Sequence, residues 1–233
     1  MATLLDSVIN FIPAAGGLGT AAMGLVDASK YFDGGPSGIG FNGIAQALGP
    51  FLPAADSPGG TAFGRTEVLA TLRANWMNGV AVADQKAKAK ALVHLGLTRG
   101  NAERFATAAG VDPGRLASLA AKMAAGTQPS QDEINVLGQF DAILSAVLDA
   151  AYERAEQKYR NSCKLLATLV STVLGVLAGW FLNGQMLGYF ASSDFPLALL
   201  VGLSGAPLSP VAKDLVSSLQ AAASAVGAAK FRR

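Results

Sequence analysis

Through most of this chain apolar and polar positions recur with helical spacing, and in one stretch the charges disappear. Leu165–Ser193 contains no Lys, Arg, Asp or Glu, and after Asp194 the run Phe195–Ala212 is again uncharged. LLATLVSTVLGVLAGWFL, from Leu165 to Leu182, has the character of a spanning helix, at about the minimum length of ~18 residues for a bilayer core. FPLALLVGLSGAPLSPVA reads as an arm that crosses back, kinked by Pro207 and Pro210. Together they predict a transmembrane hairpin over 165–212.

A second uncharged run, Val8–Val26, contains Pro13 and Gly16, Gly17, Gly19 and Gly24. Three readings stand for residues 1–30: a third spanning helix, a re-entrant or interfacial segment, and a buried helix of a water-soluble core. Pro and Gly are tolerated in membrane helices that pack closely on neighbours. The N-terminus has no basic n-region and carries Asp6, so it does not read as a cleaved secretory signal.

Residues 31–64 are punctuated by Gly and Pro, which break regular structure. Phe32, Ile39, Phe41, Ile44, Leu48, Phe51 and Leu52 nonetheless predict an ordered loop, with a short helix near Asn42–Leu48, packed on lipid or another subunit. Residues 65–164 read as a helical region. The first helix runs from Thr66 to about Leu97, kinked or divided at Gly79. Two short helices follow, one closed by Gly110, the other opened by Asp112–Pro113 and closed near Gly126. Ser130 and Glu133 have the spacing of a capping box. They open one long helix, predicted from Gln131 to about Leu182. On it Leu137, Phe140, Leu144, Val147 and Ala151 recur at intervals of three and four, a stripe suited to helix–helix contact. Residues 213–233 read as a C-terminal helix with a basic tail.

Composition fits this picture. Hydrophobic residues make up 51%, charged residues 15% and mean hydropathy is +0.37, whereas a soluble domain carries about 25% charge. A net charge of +2 from dispersed basic residues does not suggest nucleic acid. Cys163 is the single cysteine, so no disulfide forms within one chain. His94 is the single histidine, which excludes a multi-histidine metal site and reads as a partly buried structural residue. Lys86, Lys88 and Lys90 spread over a solvated arc, with acidic lipid headgroups as the alternative contact. Arg154, Lys158, Arg160 and Lys164 precede the first hairpin helix, and the 183–194 connector has no Lys or Arg. The positive-inside rule then puts residues 27–164 and the C-terminus in the cytoplasm. Trp180, Phe181, Tyr189 and Phe190 are expected at the outer interface.

Catalytic patterns are weak. Gly59, Gly64, Arg65 and Thr66 mimic a phosphate loop, but Arg replaces its Lys and no strand precedes it. Gly34–Gly40 lacks the setting of a dinucleotide site and reads as a turn. No enzyme, cofactor or metal is therefore expected. Small residues offer the clearest contact candidates: Gly175 and Gly179, Gly184 and Gly188, and Ala198, Gly202 and Ala206, each at four-residue intervals. In lipid such faces let helices approach closely, within one chain or between subunits.

Glu153–Arg154, Tyr159–Arg160, Asn183, Gly205–Ala206–Pro207 and Asp214–Leu215 together resemble a set of uncharacterised bacterial membrane proteins with a C-terminal transmembrane hairpin, over about residues 140–220. The aromatic pair that usually follows Gly-Ala-Pro is replaced by Leu208–Ser209. The resemblance implies a membrane fold and a bacterial inner-membrane location, and no activity. The expected protein is all-α and multi-pass. Its expected role is a structural subunit that oligomerises, as a homo-oligomer or with other subunits, or that anchors or scaffolds a larger complex. A pore or channel subunit is the alternative.

Overall fold

The computed structural model describes residues 4–29, 34–53, 64–184 and 186–210. Every regular element among them is helical: α1 (Leu4–Ala28), α2 (Gly35–Leu48), a 3-10 turn (Gly49–Phe51), α3 (Arg65–Met77), α4 (Val82–Leu95), α5 (Ala102–Ala109), α6 (Pro113–Ala125), α7 (Gln131–Leu182), a second 3-10 turn (Leu187–Ala191), and a helical stretch over 194–210, α8. The expected C-terminal helix and basic tail from residue 213, and Gly59 of the loop-like motif, lie outside the described residues. The chain divides into two compact units. One holds residues 37–159 and the other Met1–Pro36 with Arg160–Arg233.

In the 37–159 unit, local signals set the helix ends. Gly79, Gly110 and Gly126 each have a φ of +66°, a left-handed conformation that only Gly takes cheaply. Gly79 thus divides the expected long helix into α3 and α4. Asp112 accepts a hydrogen bond from the Arg115 amide at 2.8 Å and caps α6, with Pro113 at its first position. The capping box opens α7: Glu133 Oε2 accepts from the Ser130 amide at 2.6 Å, and the Glu133 amide donates to Ser130 Oγ at 3.4 Å.

The core of this unit is a conventional apolar interior. Phe105 and Phe140 stack with centroids 6.4 Å apart, and Phe51 meets both edge-on. Leu48, Leu72, Leu116, Leu144 and Leu148 close around them, at most 1% exposed. Burying each such side chain contributes about 1.5–3 kcal/mol.

Here α2 corrects two expectations. The helix starts at Gly35, not near Asn42, so the Gly34–Gly40 run is helical over most of its length rather than a turn. Its apolar side is also covered by its own chain, since Phe41, Ile44, Leu48, Phe51 and Leu52 all sit in this core. Close approach explains one of its glycines. A Cβ on Gly40 would stand 2.9 Å from the Ala155 carbonyl and from the Trp76 ring. Trp76 Nε1 in turn donates to the Ser37 carbonyl at 2.9 Å, pinning α2 to α3.

The other unit is packed differently. Its buried cluster is Ala22, Val26, Ala167 and Ala206, with Met23, Cys163, Leu166 and Val170 against it. Phe11–Ala28 in α1 and part of α7 are long and apolar enough to cross a membrane by length and composition. α1 runs unbroken through Pro13.

Candidate interaction surfaces

In the unit that contains α1, small residues do the packing. A Cβ on Gly175 would meet the Ala198 carbonyl at 2.9 Å and the Gly202 Cα at 3.2 Å. One on Gly202 would stand 2.5 Å from the Thr172 Cα. Ser171 Oγ donates to the Gly202 carbonyl at 2.5 Å. On the α1 side, Gly205 faces the Ala15 carbonyl at Cβ-contact distance, and Thr20 Oγ1 lies 3.1 Å from Ser209 Oγ. Gly175, Gly179, Ala198, Gly202 and Ala206 are therefore engaged within one chain.

Gly184 and Gly188 depart from expectation, for they share no helix face. α7 stops at Leu182, Gly184 has a φ of +69°, and Gly188 lies in a 3-10 turn. No atom stands within 4 Å of a Cβ on either. Their spacing imitates a packing motif, but α7 has already ended before the first of them. Asn183 Nδ2 then donates to Asp194 Oδ2 at 3.0 Å across the connector. Tyr189, expected at an interface, is buried at 2% exposure, its ring end filling the notch over Gly179.

The outside of this unit is apolar. Leu165, Leu169, Val173, Leu177 and Phe181 step along α7 by four and are 65, 56, 58, 41 and 59% exposed. Leu197, Leu200 and Leu203 on α8 are more than half exposed. Small residues lie inside and large apolar ones outside, the reverse of the 37–159 unit.

On the 37–159 unit, α4 and α7 are joined by a polar ladder. Lys86 Nζ lies 2.6 Å from Asp149, Lys90 Nζ 2.6 Å from Asp141, and His94 Nε2 2.5 Å from Asp141. Lys90 also donates to Ser145 at 3.3 Å. Burial works against ionisation of Asp141, but hydrogen bonds from Lys90 and His94, with their attraction, hold its carboxyl below the usual carboxylate range. Lys86 and Lys90 are thus bound to carboxylates of their own chain rather than only solvated, and Lys88 meets Asn75 at 3.2 Å. His94 is the structural residue expected.

Glu133 is the other polar focus. It accepts from Lys122 at 2.8 Å, from Ser118 Oγ at 2.6 Å and from the Ser130 amide. These donors, Lys122 first, lower its carboxyl to about 2. Burial alone pushes the Tyr152 phenol up to about 12. The two arginines beside the first 3-10 turn serve structure: Arg65 Nη1 donates to the Gly49 carbonyl at 3.1 Å, and Arg104 to the Leu52 carbonyl. Arg65 therefore begins α3 and ties it to that turn, as an ordinary helix entry. Among the described residues, no group of three His, Cys, Asp or Glu side chains is placed to hold a metal ion.

The stripe on α7 is rotated from its expected register. Phe140, Leu144 and Ala151 are buried, whereas Leu137 and Val147 flank the core half-buried. Val147 instead helps to line a groove of about 520 Å³ beside α2, walled by Gly43, Ala47 and Ile143 and ending at Arg154 and Lys158. Sequence reasoning had given those two cations only a topological role. Their four-residue continuation of the Ala146–Ala150 row was the available signal.

No protein-family model, no curated protein and no solved structure matches this chain.

Proposed function

We propose that the chain is an integral membrane anchor: α1, the 165–182 part of α7 and α8 lie in the bilayer, and the 37–159 unit is the helical domain they hold there. The carrying observation is the exposed apolar row Leu165–Phe181 around a seam of small residues. In water each such side chain forgoes about 1.5–3 kcal/mol of burial, and contiguous rows of this kind mark contact with membrane or protein. In lipid it costs nothing, and small-residue seams supply the helix–helix packing. At 1.5 Å per residue, Leu165–Leu182 covers about 27 Å and the 25 residues of α1 about 37 Å. Both suit a hydrocarbon core of about 30 Å.

The charge distribution supports residues 27–164 on the cytoplasmic side of a bacterial inner membrane. The role is to anchor or scaffold other subunits. Self-association through the small-residue faces has less support, since the same chain occupies them. The alternative, a pore subunit, would be lined by the polar groups Thr168, Ser171, Thr172 and Asn183. Thr168 and Thr172 donate to carbonyls one turn back at 2.9 and 2.7 Å, and Ser171 bonds to Gly202.

The test is carbonate washing of membranes, followed by labelling with a membrane-impermeant maleimide in a Cys163→Ser background. Retention in the pellet, with Ser193→Cys labelled from outside intact cells, is the expected result. Release by carbonate sinks the membrane reading. Labelling only after lysis reverses the proposed sidedness.

A further inference from the structure

The groove between α2 and α7 combines an apolar wall with two cations at one end. From Ile143 to Lys158 the α7 wall covers fifteen residue steps, about 22 Å. A volume of about 520 Å³ over that length leaves a mean cross-section of about 24 Å². A helix 10–12 Å across needs about three to five times that area. A single alkyl chain, about 5 Å across from carbon contact distances, fills it. The walls are mostly apolar: Gly43, Ala47, Ile143 and Val147 offer methyl groups and backbone, Gln46 is the one uncharged polar side chain among the lining residues, and no Asp or Glu lines the groove. A Cβ on Gly43 would meet nothing within 4 Å, so the floor there is open.

The far end is cationic. Arg154 and Lys158 are one helical turn apart, both are exposed, and neither forms an ion pair with a described residue. In the same unit Lys86, Lys90 and Lys122 are each bound to a carboxylate. An Arg fork receives a carboxylate through two parallel hydrogen bonds, and Lys adds a point charge.

We propose that this groove binds a long-chain fatty acid, its alkyl chain along Gly43, Ala47, Ile143 and Val147 and its carboxylate at Arg154 and Lys158. The section admits one chain, which disfavours a two-chain phospholipid. The inference rests only on the 37–159 unit and stands whether or not Leu165–Leu182 crosses a membrane.

The test uses the full chain in nanodiscs of neutral phosphatidylcholine and a sixteen-carbon fatty acid with a mid-chain diazirine. After irradiation, labelled peptides are mapped by mass spectrometry. Label is expected on the peptides holding Ala47 and Ile143–Ala151. It should fall about ten-fold in the double variant Arg154→Gln, Lys158→Gln, the loss of about one charge-assisted contact, and disappear in Gly43→Trp, whose ring fills the groove. The substituted cations are exposed and Gly43 has open space above it, so unchanged far-UV circular dichroism is expected for each variant. Total label incorporated into the nanodisc lipid serves as the internal standard. Equal labelling by the corresponding long-chain alcohol, or labelling unaffected by Gly43→Trp, overturns the proposal. Labelling by a diazirine phosphatidic acid in place of the fatty acid also overturns it and points to a phospholipid.

Discussion

His94 Nε2 and Asp141 Oδ1 stand 2.5 Å apart, and the same carboxylate takes Lys90 at 2.6 Å on its other oxygen. One acidic side chain on α7 thus holds two successive turns of α4, and Lys86–Asp149 continues the match one turn further. The His94 ring also meets Phe140 edge-on at 5.9 Å, so the polar ladder lies directly over the aromatic core.

Replacing Asp141 by Asn removes the charge that both donors face. These groups are about a quarter to a third exposed, so solvent screens them. The expected loss is about 0.5–1.5 kcal/mol, read as a lowered thermal midpoint of the full chain in mild detergent. The pH dependence fixes the sign. A carboxyl held below its ordinary value of 3.8 contributes its full stabilisation above that value and loses it as pH falls through the lower, folded value. The difference between wild type and Asp141→Asn should therefore shrink as pH falls below about 4. A difference that persists unchanged through the acid limb contradicts the assignment.

Glu133 gives a wider window. Its carboxyl is held at about 2 against an ordinary 4.5, by Lys122, Ser118 and the Ser130 amide. Its contribution is complete above 4.5, declines below it and is gone once pH has fallen through about 2. Glu133→Gln should lower the thermal midpoint at pH 7 and flatten its decline between pH 4.5 and 2. Lys122→Met should lower the wild-type midpoint at neutral pH while leaving the Ser130 cap intact. If the acid limbs of wild type and Glu133→Gln run parallel, this carboxylate does not carry the linkage.

Helix ends were legible because their signals are local. Asp112–Pro113, Gly110, Gly126 and the Ser130–Glu133 pair act within one turn, and each does in the structure what its residue type implies. α2 was not legible. Its glycines lower helix propensity, and the close contact of Gly40 with Ala155 and Trp76, distant in sequence, cannot be read from the local pattern. The α7 stripe failed by register. A strict three–four alternation follows a 3.5-residue period, and an α-helix drifts about 20° per heptad from it. The core therefore moves from Leu137 and Val147 to Val136 and Leu148. The ladder was legible in hindsight: Lys86, Lys90 and His94 repeat by four, as do Asp141, Ser145 and Asp149. Of the groove, only the α7 row could be read from sequence, because its other wall is α2.

Gly79, between two helices, and Gly138, inside one, should respond in opposite directions to alanine. Gly79 has a φ of +66° and divides α3 from α4, so Gly79→Ala forces a left-handed alanine at a cost of about 1–2 kcal/mol. Gly138 lies inside α7 with open space around it. Gly138→Ala should stabilise by about 0.5–1 kcal/mol through restricted unfolded-chain freedom and better helix propensity. Denaturant midpoints of the two variants, measured side by side, should fall on opposite sides of wild type.

The seam between α7 and α8 makes the strongest demand on residue size. A methyl on Gly202 would sit 2.5 Å from the Thr172 Cα and 2.9 Å from the Ser171 carbonyl, both backbone atoms that cannot rotate away. The two helices must then separate, which also lengthens the Ser171–Gly202 hydrogen bond. Overpacking of this kind costs about 1–3 kcal/mol, and an unpaired hydroxyl in an apolar setting adds to it. Gly202→Ala should therefore lower the thermal midpoint in detergent, and Gly202→Leu should lower it further. Gly188→Ala, with nothing within 4 Å of the added carbon, should stay within about 0.5 kcal/mol of wild type. If Gly202→Ala were as well tolerated as Gly188→Ala, the seam would have to lie elsewhere. Loss at Gly202 without loss at Gly188 distinguishes a packed glycine from one that only matches the spacing.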